Sequence, residues 1–348
     1  MAEVTGEQRY LLNLLKGPER TSSDKINFAS FRELVVRHKL FTVTGSAISL
    51  FTVHQANELE DLKKQAIMRS MVISGELVRI SDSFSDYSEA LIVVKGPVLS
   101  MLLFGDVGAR QYNDLDIHIP PDIFHEVLDR FLKMDYRVLY PSIRKGFPFR
   151  YYFRHKMDVG LYHPGTGVYV ELHSGFNSKK LLSAPYELDL FGHRFRVSIM
   201  GRTICTLTPE ANFVYLCIHG ARHLYFRLFW LKDIADCLEQ LELDHKLVAE
   251  LSEKYQVRRI LSLSLLLAAS FFSVSIPENY HSFSTDRRVP FLVRTCERWI
   301  LGPEKENPCR KILKILYFML LKPGARYKLY VLTGIFHRWY IRKFLGGH

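Results

Sequence analysis

The chain has 348 residues and a mass of 40.6 kDa, with 47 Lys and Arg against 36 Asp and Glu, a formal charge of +11. Hydrophobic residues make up 48%, charged residues 24% and aromatics 13%, which excludes a disordered, collagen-like or low-complexity chain and, with the length, predicts about two domains. No apolar run approaches the roughly 18 residues of a membrane span, and the opening MAEVTGEQRYLL, with an early Glu and no apolar stretch, predicts no secretory signal.

In chain order, residues 7–85 read as helical. Leu59, Leu62, Ala66, Ile73, Leu77, Ile80 and Phe84 recur at steps of three, four and seven and mark one helical face. ALIVVKG, ending at Gly96, reads as a short buried strand, and Pro97 opens a helix over Val98–Phe104. The loop GDVGARQYN leads into Asp114–Ile119, DLDIHI, whose polar–apolar alternation predicts a half-buried strand. Pro120 and Pro121 end it, and a helix is expected over Ile123–Met134.

Between Tyr136 and Val197 a β-meander is expected, with strands at Tyr136–Tyr140, Phe149–His155, Val168–His173 and Arg194–Ile199. Thr208-Pro209-Glu210 starts a second helical block, with helices over 210–221, 224–239, 245–254, 257–273, 288–301 and 309–321. The predicted class is α+β: an N-terminal helical region over 1–85 packing on the core, a mixed-sheet core over 86–207, and a helical domain over 208–348 that ends in a basic aromatic tail. Five cysteines, odd in number and without CxxC or zinc spacing, read as reduced thiols of a cytoplasmic protein.

The charge is concentrated at one end. From Asn307 to His348 there are nine Lys and Arg and no Asp or Glu, so residues 1–306 hold 38 basic against 36 acidic side chains, a net of +2. The nine cations interleave with eight aromatics, Tyr317 to Phe344. Three readings fit: a nucleic-acid surface, a helix lying on an anionic membrane at its inner face, or a packed helical subdomain with solvated lysines.

The strongest chemical signal is Asp114-Leu115-Asp116. On a strand, residues i and i+2 share a face, so the carboxylates point together while Leu115 and Ile117 face the core. Two carboxylates held close repel, and a hard divalent cation is the usual compensation. Upstream, Lys95-Gly96 joins a strand to a helix, where backbone N–H groups and a lysine suit phosphate oxygens. Arg110 follows the turn Gly105-Asp106-Val107-Gly108-Ala109 and suits bidentate phosphate contact. Downstream, VYVELH places Glu171 and His173 on one strand face as a third carboxylate and its neighbour, with Asp158 competing for the third place. Two ions on three carboxylates is the arrangement of in-line nucleotidyl transfer.

These residues resemble a known signature. KGPVLSMLLFGDVGARQYNDLDIHI, VELH at 170–173, and HGARHLYFRLFWLKDIADCLE, with His219, His223, Leu228, Trp230, Leu231, Asp233 and Ile234, resemble in order and spacing the uncharacterised nucleotidyltransferase-like family of the DNA polymerase β superfamily. The resemblance covers roughly residues 85–240. It implies a minimal nucleotidyltransferase fold, a mixed sheet flanked by helices, with a helical partner domain.

Carried over, it implies that Asp114 and Asp116 bind Mg²⁺, with Mn²⁺ as the alternative, and that Glu171 is the third carboxylate. It sets Lys95, Gly96, Arg110 and His173 near the nucleotide, ATP or another NTP. The superfamily usually has Gly-Ser where this chain has Lys95-Gly96, and the interval to Asp114 is longer than usual. Ser174-Gly175 follows His173 where an aromatic is common. His219 and His223, at i and i+4 on one helical face, suit zinc or, more simply, a domain interface; with Asp233 they are candidate cleft residues.

The expected activity is transfer of an NMP from an NTP to a hydroxyl or phosphate acceptor, on RNA, protein or a small molecule, with release of pyrophosphate. The alternatives are a non-catalytic nucleotide- or RNA-binding module of the same fold and a membrane-surface accessory protein of a biosynthetic pathway.

Overall fold

The computed structural model describes residues 4–16, 26–41, 50–140, 158–174, 188–302 and 308–344. They form an α+β structure that divides into two compact units, one of Met1–Met68 with Phe213–Lys322, the other of Arg69–Asn212 with Pro323–His348. The expected strand Phe149–His155 lies outside the described residues.

The N-terminal region forms α1 (Gly6–Lys16), α2 (Phe28–His38) and α3 (Val53–Ser83). Of the apolar stripe on α3, Leu59, Ala66, Ile73, Leu77 and Ile80 are buried, as is Phe84 just past its end. Residues 73–84 of that stripe join the core of the sheet unit.

That unit holds β1 (Ile92–Val94), α4 (Gly96–Phe104), β2 (Asp114–Ile119), α5 (Phe124–Lys133), β3 (Arg137–Tyr140), β4 (Asp158–Tyr162), β5 (Tyr169–Ser174), β6 (Arg194–Ile199) and β7 (Arg202–Leu207). β1 to β5 form a mixed sheet in the order β1-β2-β5-β4-β3. The β2–β5 pair is parallel and the others are antiparallel. Leu115, Ile117 and Ile119 of β2, Val170 and Leu172 of β5, and Val159 and Leu161 of β4 alternate onto one face and are fully buried with Phe124, Val127 and Phe131 of α5. The opposite face therefore carries Asp114, Asp116, His118, Glu171, His173 and Asp158.

Two strands were not expected. β4 reads DVGLY, too short and too Gly-interrupted to stand out alone. β7 pairs with β6 as a hairpin closed by Met200 and Gly201, both at positive φ (49° and 79°), the turn chirality that matches strand twist.

The helical unit adds α6 (Pro209–Arg222), α7 (Leu228–Gln240), α8 (His245–Lys254), α9 (Arg258–Phe272), α10 (Val289–Leu301) and α11 (Pro308–Leu321). α9 is apolar nearly all round, and α1, α7, α8 and α10 pack against it, as a central helix requires. The expected helix over 224–239 starts instead at Leu228, because Leu224 and Tyr225 take left-handed φ of 52° and 49°. That turn drives Tyr225 inward, where its hydroxyl donates to the Cys217 carbonyl at 2.9 Å and meets Ser264 Oγ at 2.5 Å.

The basic end forms α11 and α12 (Ala325–Phe344). α11 is seated by buried Tyr317, whose hydroxyl donates to the Ala221 carbonyl at 2.8 Å, and by Leu321. Ile312 and Leu316 remain exposed. Among the described residues no helix is long and apolar enough to cross a membrane. All five cysteines are free; Cys205, Cys217, Cys237 and Cys296 are buried and Cys309 is exposed.

Candidate metal and nucleotide site

Parallel pairing of β2 with β5 sets Asp116 opposite Glu171 and His118 opposite His173. Antiparallel pairing of β4 with β5 sets Asp158 opposite His173, and pairing of β1 with β2 sets Val94, one residue before Lys95, opposite Asp116. Four strands thus deliver charged side chains to one patch of one sheet face.

Asp116 is 8% exposed and its two oxygens are engaged differently. Oδ2 accepts an ion pair from Lys95 Nζ at 2.8 Å, and Oδ1 lies 3.2 Å from His173 Nε2. The other ring nitrogen, Nδ1, lies 3.2 Å from Asp158 Oδ1. Glu171 Oε2 is 3.6 Å from His173 Nε2. The His118 ring stacks on the His173 ring at 4.7 Å between centroids and fixes its plane.

Electrostatics follow from this crowding. Burial disfavours the His173 imidazolium, but hydrogen bonds to Asp116 and Asp158 and the charge of both outweigh it and raise the pKa from 6.5 to about 9. Burial, then the charges of Asp116 and, more weakly, Asp114 raise the Glu171 pKa, while His173 and a hydrogen bond from Tyr140 pull it down. A site that raises a carboxylate in this way is one that added positive charge stabilises.

One oxygen of Asp116, one of Glu171 and a ring nitrogen of His173 all lie within 4.8 Å of one another, which among the described residues is where such donors converge for a metal ion. Two carboxylates and an imidazole are a fitting donor set for a divalent cation. Asp114, half-buried, shares the strand face and lies within electrostatic reach of Glu171.

Lys95 is 9% exposed and sits at φ 56°, ψ −144°, a conformation L-residues rarely adopt. That turn reverses the chain between β1 and α4 and aims the ammonium back over β2. Gly96 follows at φ 42°, and no side chain caps the first turn of α4. Arg110 is buried and knitted into the turn. Its backbone N–H donates to Ser100 Oγ and its carbonyl accepts from Ser70 Oγ, both at 3.2 Å, and its guanidinium donates to the Gln111 carbonyl at 3.4 Å. Gly105, at φ 65°, closes α4, and the Gly108 N–H donates to Asp106 Oδ1 at 2.7 Å.

The structure thus brings Lys95, Asp116, Glu171 and His173 together on the sheet unit. His219 and Asp233 belong to the helical unit. There His219 stacks with Tyr215 at 6.1 Å, lies 4.7 Å from the His223 ring and meets Trp230 edge-on at 5.6 Å, while Asp233 is buried on α7. No third donor joins His219 and His223 in a metal-holding group among the described residues. Sequence reasoning missed His118. Its signal was present, since it continues the i, i+2 row of Asp114 and Asp116.

The profile of a family described as "Uncharacterised nucleotidyltransferase" matches residues 24–273. No curated protein matches the chain. Among solved structures, the crystal structure of an antigenic nucleotidyltransferase-like protein from Paracoccidioides brasiliensis matches at 20% identity and a TM-score of 0.32, over 59% of this chain and 97% of that one.

Proposed function

From the premise that this chain belongs to that uncharacterised nucleotidyltransferase family, we propose that it transfers an NMP from an NTP to a hydroxyl or phosphate acceptor and releases pyrophosphate. The observation that carries this reading is the β2–β5 register, which sets Asp116 against Glu171 beside the β1–α4 turn.

Asp114, Asp116 and Glu171 are the residues that hold divalent metal. Bound there, the metal supplies Lewis acidity to the phosphate oxygens and lowers the pKa of the attacking hydroxyl. The remaining work belongs to the chain. The open first turn of α4, with Gly96 at its start, presents backbone N–H groups to the triphosphate. Lys95 and Arg110 place fixed positive charge where negative charge develops on the leaving pyrophosphate. Asp116 or Glu171, acting through the metal they would hold, helps remove the acceptor proton. The acceptor oxygen bonds to the α-phosphorus, the bond from that phosphorus to the β-bridging oxygen breaks, and the electron pair leaves with pyrophosphate.

The test is incubation of the protein with labelled NTPs and Mg²⁺ in a cell extract, followed by identification of what becomes labelled. Asp114→Asn with Asp116→Asn is expected to cut labelling and pyrophosphate release by about a hundredfold or more, the scale of losing electrostatic stabilisation at a reacting centre, while circular dichroism shows an intact fold. Unchanged turnover in that double variant overturns the reading. Tight NTP binding by calorimetry with no pyrophosphate release assigns the domain instead to nucleotide binding alone.

A further inference from the structure

We infer that His173 is itself a metal ligand, oriented by Asp158, and that the site takes a divalent first-row transition ion in preference to Mg²⁺. This rests on the nucleotidyltransferase reading for the presence of metal, and goes beyond it in the ligand and the ion.

The geometry points this way through three independent contacts. First, Nε2 faces Asp116 Oδ1 at 3.2 Å and Glu171 Oε2 at 3.6 Å. Ligands bound at about 2.1 Å lie about 3.0 Å apart at adjacent corners of an octahedron and about 3.4 Å apart in a tetrahedron. Nε2 already stands near those separations from both carboxylate oxygens, and all three donors lie within 4.8 Å of one another, so an ion enters with little movement of the strands.

Second, Nδ1 is engaged by Asp158 Oδ1 at 3.2 Å. A carboxylate that accepts the Nδ1 proton locks the ring plane and raises the basicity of Nε2, so that an ion displacing the Nε2 proton now shared with Asp116 meets a lone pair already aimed at it, the usual support behind a metal-bound histidine. Stacking on His118 adds a further constraint on the ring. Third, Lys95 occupies Asp116 Oδ2 at 2.8 Å and leaves Oδ1 facing the imidazole and Glu171. Asp116 therefore offers one oxygen, not two.

The donor set decides the ion. Mg²⁺ prefers six oxygens and keeps its waters, whereas Mn²⁺, Fe²⁺, Co²⁺ and Zn²⁺ accept imidazole nitrogen. A site that spends one of three converging donors on an imidazole favours the second group.

The experiment uses the full chain, stripped of metal with chelator, at one fixed pH of about 8. Mn²⁺ binding is followed by the free-ion electron paramagnetic resonance signal, and Mg²⁺ binding by competition. Electron spin-echo modulation of the Mn²⁺-loaded protein is expected to carry the nitrogen coupling of a directly bound imidazole. Mn²⁺ is expected to bind about tenfold or more tightly than Mg²⁺. His173→Gln should abolish the coupling and erase that preference, with Mg²⁺ affinity nearly unchanged. Asp158→Asn should keep the imidazole and weaken Mn²⁺ binding by about 10- to 100-fold.

Mn²⁺ bound without nitrogen coupling, or equal affinities for the two ions in the unaltered protein, overturns the inference; both measurements need no variant to fold. Labelled-NTP transfer, run in parallel, separates the two claims. Transfer without imidazole coupling removes only this inference, and binding of neither ion with no transfer removes both.

Discussion

Glu76 lies on α3 with 3% of its surface exposed, and its carboxylate is held on three sides. Arg79 donates from Nε at 3.0 Å and from a terminal nitrogen at 2.6 Å, and the Tyr136 hydroxyl donates to Oε1. Burial opposes ionisation, but the hydrogen bonds from Arg79 and Tyr136 and the Arg79 charge outweigh it, so the pKa falls below 4.5. A lowered folded pKa contributes stability above the unfolded value, and that contribution is lost as pH falls through the folded value. Glu76→Gln is therefore expected to cost about 1–3 kcal/mol near neutral pH. The gap from the unaltered protein should narrow below about pH 4, read from urea unfolding at about pH 7 and about pH 3.5. At the site, single residues were legible where their chemistry is local. Asp114 and Asp116 follow from i, i+2 spacing on one strand, and Glu171 from the same rule on another. The contacts of His173 with Asp116 and Asp158 were not legible, because they depend on the register of two long-range strand pairings that no local pattern encodes.

Between elements, two glycines meet a tyrosine at the same distance with different consequences. A Cβ on Gly220 of α6 would lie 2.0 Å from the Tyr225 ring, and a Cβ on Gly160 of β4 would lie 2.0 Å from the Tyr140 ring. Tyr225 is fully buried and tethered through its hydroxyl to Cys217 and Ser264, so it has nowhere to go. Tyr140 is 39% exposed and can swing into solvent. Gly220→Ala is expected to destabilise by about 1–3 kcal/mol, the cost of overpacking a filled core. Gly160→Ala should lower the melting temperature less, while it displaces Tyr140 from Glu171, to which it hydrogen-bonds. Thermal melts of the two variants side by side check the contrast; equal losses would show that Tyr225 is freer than its contacts imply. The same turn explains why helix α7 starts late. Residues 224–227 have helical spacing in sequence, yet seating Tyr225 on Gly220 requires left-handed backbone at Leu224 and Tyr225. Packing overrode propensity there, as it did for β4, whose apolar Val159 and Leu161 identify it as a strand only once β5 lies beside it.

At the scale of the whole molecule, the +11 formal charge separates into a body of net +2 and a C-terminal segment holding nine cations and no anions. The structure shows what part of that segment is spent on folding. Tyr317 and Leu321 of α11 are buried, and Lys322 donates to the Tyr255 carbonyl at 3.1 Å. Tyr327 and Val331 of α12 are also buried. Lys311, Arg326 and Lys328 are exposed, so charge reversal there leaves the packed positions intact. Cations concentrated in one segment of the chain attract a polyanion in proportion to the counterions they release, and that attraction falls steeply with salt. The triple variant Lys311→Glu, Arg326→Glu, Lys328→Glu is therefore expected to elute from a heparin column at clearly lower salt than the unaltered protein, with its melting temperature nearly unchanged. Triple reversal of three exposed lysines from the near-neutral body, Lys64, Lys133 and Lys246, applies the same change in net charge and is expected to shift elution less. Equal shifts would assign the attraction to net charge alone and remove any special role for the C-terminal segment; a larger shift for the C-terminal set assigns the attraction to the cations of that segment.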